Sequence, residues 1–508
     1  MKRIIAILLL MALVLSGCAG QTAYVPTGNG LDDSTVTATQ PSQGADKVQQ
    51  LSLAYHAEKG FNPYSCADYT NKALFSLLYQ SLFTVDKDYN VEPQLCKSYT
   101  VSQDMKTYVF YLEKATFADG TVLTAEDVVT SLENARAGQV YRGRLGNVES
   151  ISTTDDGGVQ VRLTTAYENL PLLLNIPIVR GAQVNADTPG GTGPYTLEST
   201  ASGLQLRLRQ NWWCKAELPL SAEKIPLVAV QTPKDIRDAF ELGDVGVVCA
   251  NPAAESYVDY RSNYDLWDCE NGVFLYLGCR EKSKVFSNES VRQALTHAID
   301  RASIVKDYYQ TFALAATLPA SPNSPYYNST LAAQYGFDAE KFKAALIREG
   351  MEGSTVTLLV NKDDGRRVKV ANAIAAMLEA CSLVVTVKAV SGNDYTTALK
   401  YGSYDLHLGQ TVLSANMDLS AFFDSKGALN YGGMSNETIS SLCKDALANS
   451  GNYATLHQAV MNDAVLCPVA FLSYAVYVSS GLVEHFTPAR DCIFYYSLGK
   501  TMKDAQQS

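Results

Sequence analysis

The sequence predicts a large, exported α/β protein with more than one folded unit. Three observations carry this. The segment Tyr108–Asn134, YVFYLEKATFADGTVLTAEDVVTSLEN, reads as an alternating strand, a turn at Asp119-Gly120 and a helix. Thr124 stands as the N-cap, and Asp127, three residues on, brings a negative charge to the positive helix end. Gly190-Gly191-Thr192-Gly193-Pro194 runs into YTLESTASGLQLRLRQ, a strand-like alternation, so the glycines form a turn entering a sheet and not a phosphate cradle opening a helix. Finally, about 460 residues follow the N-terminal segments, more than one core normally serves, so two domains or more are expected.

In chain order, Lys2 and Arg3 precede the apolar run Ile4–Leu15, which is too short to span a bilayer. With the small residues that follow, it reads as a secretory signal over residues 1–17. It ends in Leu15-Ser16-Gly17-Cys18, which resembles the lipobox of bacterial lipoproteins. That resemblance implies acylation of the Cys18 thiol and a lipid-anchored protein on the extracytoplasmic face of the cell membrane. Residues 18–48 are rich in Thr, Ser, Gly, Gln and Asp, and read as a flexible tether with a span of about 30 Å. No later segment is long and apolar enough to cross a membrane.

Composition describes a folded acidic export. Cleavage after Gly17 removes Lys2 and Arg3 and takes the net charge from -11 to -13, which argues against nucleic acid as a partner. Thirty tyrosines against sixteen phenylalanines suit a wet cleft, because tyrosine combines an apolar face with a polar tip. Besides Cys18 there are ten cysteines, with no CxxC and several inside apolar runs such as VGVVCA around Cys249. An even number in an export is compatible with disulfides, and the buried settings with free thiols. The five histidines, His56, His297, His407, His457 and His485, form no ligand motif, so no metal and no cofactor are expected.

Enzyme signatures are weak. Ser441-Leu442-Cys443-Lys444 fits SxxK, but Met502 stands where KTG would need glycine, and there is no GxSxG. An enzyme is not expected.

Several longer words occur in one order along the chain. They are Leu78–Leu82 with the following VDKDYNVEPQLCKSY, the Tyr108–Asn134 segment, GGTGPYTL with Gln210–Trp213, Val291–Val305, read as a helix whose apolar positions Val291, Leu295, Ala298 and Ile299 share one packing face, and Tyr404-Asp405-Leu406. Together they resemble the family 5 extracellular solute-binding proteins, the peptide and nickel receptors of ABC importers. The resemblance implies a two-lobed clamshell of the periplasmic-binding-protein type, in its large, peptide-receptor form. Lobe I would span residues 49–275 with 479–508 returning to it, and lobe II residues 276–478, a hinge between them closing on ligand. The function implied is capture of a small solute, a peptide or peptide-like molecule, for delivery to a membrane permease, by a monomer. A ligand-sensing lipoprotein and a receptor for a non-peptide solute are the alternatives.

The sequence also departs from that family. Its peptide receptors commonly carry GWxxD after the YD strand, the aspartate pairing with the ligand ammonium. Here Gly409-Gln410-Thr411-Val412-Leu413 places Leu413 at the aspartate, and an ammonium buried without its partner costs about 3–5 kcal/mol. Asp418 is a replacement candidate, or else a helix cap before Leu419–Phe423. Arg280 stands where the family has asparagine, either to pair with an anionic ligand group or to be solvated near the hinge. The ligand-binding residues expected by position are Phe61 and Tyr64 as apolar walls, with Gln410, Thr411, Asn416 and Asp418 orienting polar groups.

Overall fold

The computed structural model describes residues 36–38, 51–218, 220–483 and 486–494. The expected signal, Cys18, His485 and most of the tether lie outside them. Within the tether, Val36–Ala38 pairs antiparallel with Tyr264–Leu266, an edge that no other described strand covers at these three positions. Two β-branched residues in this short run favour extended backbone.

The strand–turn–helix read from the sequence is present. Thr107–Leu112 buries Tyr108 and Phe110 and leaves Val109 half-exposed, the period of two a one-sided strand requires. Helix Ala125–Ala137 buries Ala125, Val128, Leu132 and Ala135, one face of a 3.6-residue turn. Thr124 and Asp127 cap it reciprocally, and the second Asp127 oxygen accepts the Gly181 amide at 2.7 Å. The helix packs on a four-stranded antiparallel sheet of Cys96–Val101, Thr107–Leu112, Val159–Leu163 and Val148–Thr153.

A larger, mixed sheet runs through both lobes. On one side lie Tyr195–Thr200, Gly203–Leu208, Lys224–Val230, Leu53–His56 and Val247–Ala250; on the other lie Leu406–Val412, Thr355–Asn361 and Val384–Val390. Two long antiparallel strands join them, Tyr264–Cys279 and Leu466–Ser479. Each belongs to two cores. Cys269, Val476 and Val478 pack in the first lobe, whereas Leu275, Leu277, Cys467 and Leu472 pack in the second. Their register breaks between Glu270 and Phe274, at Asn271-Gly272-Val273, where the chain passes from one core to the other. A bulge there loosens the ladder and bends the strand, the mechanical requirement of a hinge. The chain then returns: Leu482, Val483, Phe486, Ile493 and Phe494 complete the first core.

Val291–Val305 does not form one helix. Glu289–Leu295 and Arg301–Tyr309 are separate, joined by the 3-10 turn Thr296–Ala298, because Asp300 caps the second by accepting the Ser303 amide at 3.1 Å. The buried Arg301 guanidinium ties the break to Ala316, Pro468 and Thr296. Val291, Leu295, Ala298 and Ile299 are nonetheless fully buried, the packing role their spacing predicted. In GGTGPY, a Cβ on Gly191 or Gly193 would fall 2.1 or 2.5 Å from the Leu78 carbonyl oxygen, so only glycine allows this turn to lie on the neighbouring chain. The ten cysteines other than Cys18 are all free and buried.

Candidate functional site

A cavity of about 380 Å³ opens where the two lobes meet the hinge. Helix Tyr69–Ala73, the next turn Phe75–Leu78, and Tyr141 and Arg144 form its first-lobe wall; Glu270, Asn271, Val273 and Tyr474 of the long strands form its floor. Thr411, Val412 and Ser414 face them from the second lobe, and the returning segment Arg490–Ile493 closes one side. Four tyrosines, 69, 79, 141 and 474, contribute surface, with Tyr69 and Tyr474 stacked at 5.6 Å. This volume is the lower end of what small-ligand sites occupy.

The charged residues are held at fixed positions. Arg144 meets Asp491 Oδ2 through Nη2 at 2.6 Å, donates from Nη1 to Asn175 Oδ1 at 2.7 Å, and holds its guanidinium carbon 5.1 Å from the Tyr141 ring centre. Burial pushes the Asp491 carboxyl up, but Arg144, Arg490 and Lys72 outweigh it and hold it well below the usual carboxylate range. Arg490 lies across Gly272, whose φ of +72° and missing side chain leave room for a guanidinium, and donates to the Leu413 carbonyl on the opposite lobe. Glu270 accepts from Tyr89 at 2.7 Å and from Ser321 at 2.5 Å, joining a first-lobe hairpin to the second lobe. Burial raises its carboxyl against those two hydrogen bonds. Away from the cavity, Glu168 donates its amide to the Leu447 carbonyl at 3.0 Å and accepts the Ser450 amide at 2.7 Å, so the lobes also touch at the rim.

Of the residues expected from the sequence, Thr411 lines the cavity. Phe61 and Tyr64 are not apolar walls here; they stand one layer behind. Tyr79 donates to the Phe61 carbonyl at 2.8 Å, and Tyr64 packs edge-on to Tyr141 at 6.5 Å while donating to Pro177 at 2.7 Å. Gln410, one residue before Thr411, is exposed and lies off the cavity wall. Asn416 is buried in the second lobe, where its carbonyl accepts from Tyr453. Asp418 takes the Ser420 amide at 2.9 Å and its hydroxyl at 2.6 Å, a local turn opening helix Ser420–Phe423. None of these last three reaches the cavity wall. Leu413 is buried with only its backbone engaged, and Arg280 sits over the Tyr404 ring at 5.6 Å.

Lys72, Arg144, Arg490 and Asp491 escaped the sequence reading. Asn271-Gly272 inside an apolar strand was the available signal, since glycine there marks a bulge or a close approach. His407 is fully buried, and burial pushes its imidazole down to about 3. Among the described residues no group of three His, Cys, Asp or Glu side chains is placed to hold a metal ion, and no helix is long and apolar enough to cross a membrane. Ser441 and Lys444 are exposed on helix Glu437–Ala448.

A two-lobed body with a cavity at a two-strand hinge is the build of a solute-binding protein. The family model for bacterial extracellular solute-binding proteins, family 5, matches residues 90–430, and the chain belongs to that family. It is the extracytoplasmic binding component of an importer. The oligopeptide-binding protein AppA of Bacillus subtilis is 23% identical over 521 residues, covering 92% of each chain. Among solved structures, the ABC transporter substrate-binding protein CtaP of Listeria monocytogenes superposes with a TM-score of 0.71 at 18% identity, covering 89% of this chain and 98% of the other. The peptide-binding protein AppA of Clostridium difficile gives 0.72 at 17% identity, covering 88% and 99%.

Proposed function

We propose that this protein captures a peptide or peptide-like solute in the cavity at the hinge and hands it to an ABC permease, while anchored to the membrane through a lipid on Cys18. The observation that carries the reading is the shared cavity: both lobes and the returning segment supply its walls, so a bound solute bridges them and biases the hinge toward closure. Thr411 contacts the solute from the second lobe, and Phe61 and Tyr64 set the first-lobe wall through Tyr79 and Tyr141. The protein acts as a monomer without catalysis. Peptide transport is the role that the names of the sequence relatives support.

A thermal-shift screen of the purified full chain against short peptides, amino acids, sugars and metal chelates tests this. Ligand at a hundred times its dissociation constant adds about 2.7 kcal/mol, so a true solute raises the melting temperature. Shifts with short peptides are expected. No shift with any class would refute solute capture, and shifts confined to sugars or chelates would refute the peptide assignment. Mass spectrometry of the membrane-extracted protein tests the anchor, which a free Cys18 thiol would exclude.

A further inference from the structure

Resting on the reading of this cavity as the solute site, we propose that it anchors its solute by a carboxylate, held by Lys72, the free edge of Arg490 and Ser76, and not by an ammonium. Five charged side chains line the cavity: Lys72, Arg144 and Arg490 against Glu270 and Asp491. Asp491 is matched by Arg144 at 2.6 Å, and both Glu270 oxygens already accept hydroxyls from Tyr89 and Ser321. Two cations remain. The Lys72 ammonium makes no hydrogen bond or ion pair with any described residue, although its helix places it on the wall. Arg490 gives Nη2 to Leu413, but its Nη1 is buried without a partner among the described residues, as is the Ser76 hydroxyl. The two buried donors left unmatched are costly, and an oxyanion would satisfy both while pairing with the Lys72 ammonium through charge-assisted bonds.

The opposite wall argues the same way. Leu413, at the position where the family's peptide receptors carry an aspartate, is buried in the second-lobe core beside Met417 and Leu419, and its carbonyl is occupied by Arg490. Asp418 is engaged by Ser420. A solute ammonium would therefore meet three cations against two carboxylates on the described wall, both carboxylates already engaged by protein groups. Burial foremost holds the Lys72 ammonium below its ordinary range, with Asp491 opposing and Arg144 and Arg490 reinforcing it.

Calorimetric titration of the full chain with matched probes decides it: N-acetylated tripeptides with a free carboxylate, the same peptides as C-terminal amides, free-amino peptide amides, and inorganic phosphate. The acetylated acids are expected to bind, and their amides about tenfold to hundredfold more weakly. Lys72→Gln should abolish that discrimination, with the ligand-free melting temperature measured beside it because Lys72 also favours the Asp491 charge. Arg490→Gln serves only as a second reading, since it also releases Leu413. Equal binding of acid and amide, undiminished acid binding by Lys72→Gln, or binding of phosphate alone would each overturn the carboxylate anchor and leave solute capture standing. Failure of every probe here, together with a blank thermal-shift screen, would refute solute capture itself.

Discussion

Replacing Arg144 by methionine removes the charge that holds the returning segment against the first lobe. Arg144 and Asp491 are 13% and 18% exposed at the side chain and 2.6 Å apart, so the pair is largely desolvated. Removing one member of such a pair costs about 3–5 kcal/mol, because the survivor is left buried with its charge. Asp491 keeps Arg490 at 3.7 Å, and Lys72 also favours its charge, which places the loss near the lower bound, about 3 kcal/mol. If the lobe unfolds as a unit of roughly 250 residues, that lowers the melting temperature by about 6 °C or more. Differential scanning calorimetry of the full chain, with urea unfolding beside it, reads both quantities. The double variant Arg144→Met/Asp491→Asn should recover most of the loss, since no charge is then stranded. Acid adds a second check. The Asp491 carboxyl is depressed in the folded state, so its contribution is complete above the unfolded pKa of about 4 and is lost as pH falls through the lower folded value. The gap between wild type and Arg144→Met should therefore narrow below about pH 4. A double variant no more stable than Arg144→Met, or a gap independent of pH, would show that Arg144 acts through Tyr141 and Asn175 and not through the ion pair.

Two further expectations concern the scaffold. Gly193→Ala puts a Cβ 2.4 Å from the Leu78 carbonyl carbon, a backbone atom that cannot swing aside, so a loss of about 1–3 kcal/mol is expected in urea unfolding, whereas Gly143→Ala, with open space around it, should be neutral. His407 is held neutral by burial, its folded value near 3 against about 6.5 unfolded, so its stabilisation is intact above pH 6.5 and drains away as pH falls. His407→Leu should lose less stability between pH 7 and pH 5 than the wild type does; equal slopes would contradict the assignment.

Local grammar was legible in this chain. The Thr124–Asp127 cap, the alternation of Tyr108 and Phe110, the apolar face of Val291, Leu295 and Ala298, and the glycine turn at 190–193 each depend on residues within a few positions of one another. The ordered motif words carried the family, and with it the two lobes. The cavity was much less legible, because its chemistry is assembled across the chain: Arg144 meets Asp491 from nearly 350 positions away, and Arg490 reaches Leu413 over Gly272. Sequence position placed Asn416 and Asp418 near the cleft, but the direction of a side chain after a strand ends depends on the core it packs into. There the turn at Ser420 and the hydroxyl of Tyr453 engaged them first. What the sequence alone determined is where strands, caps and apolar faces fall, since these follow from short-range sterics and periodicity. Which charges are matched and where the two cores trade the same strands is decided by long-range packing, and so belongs to the tertiary structure.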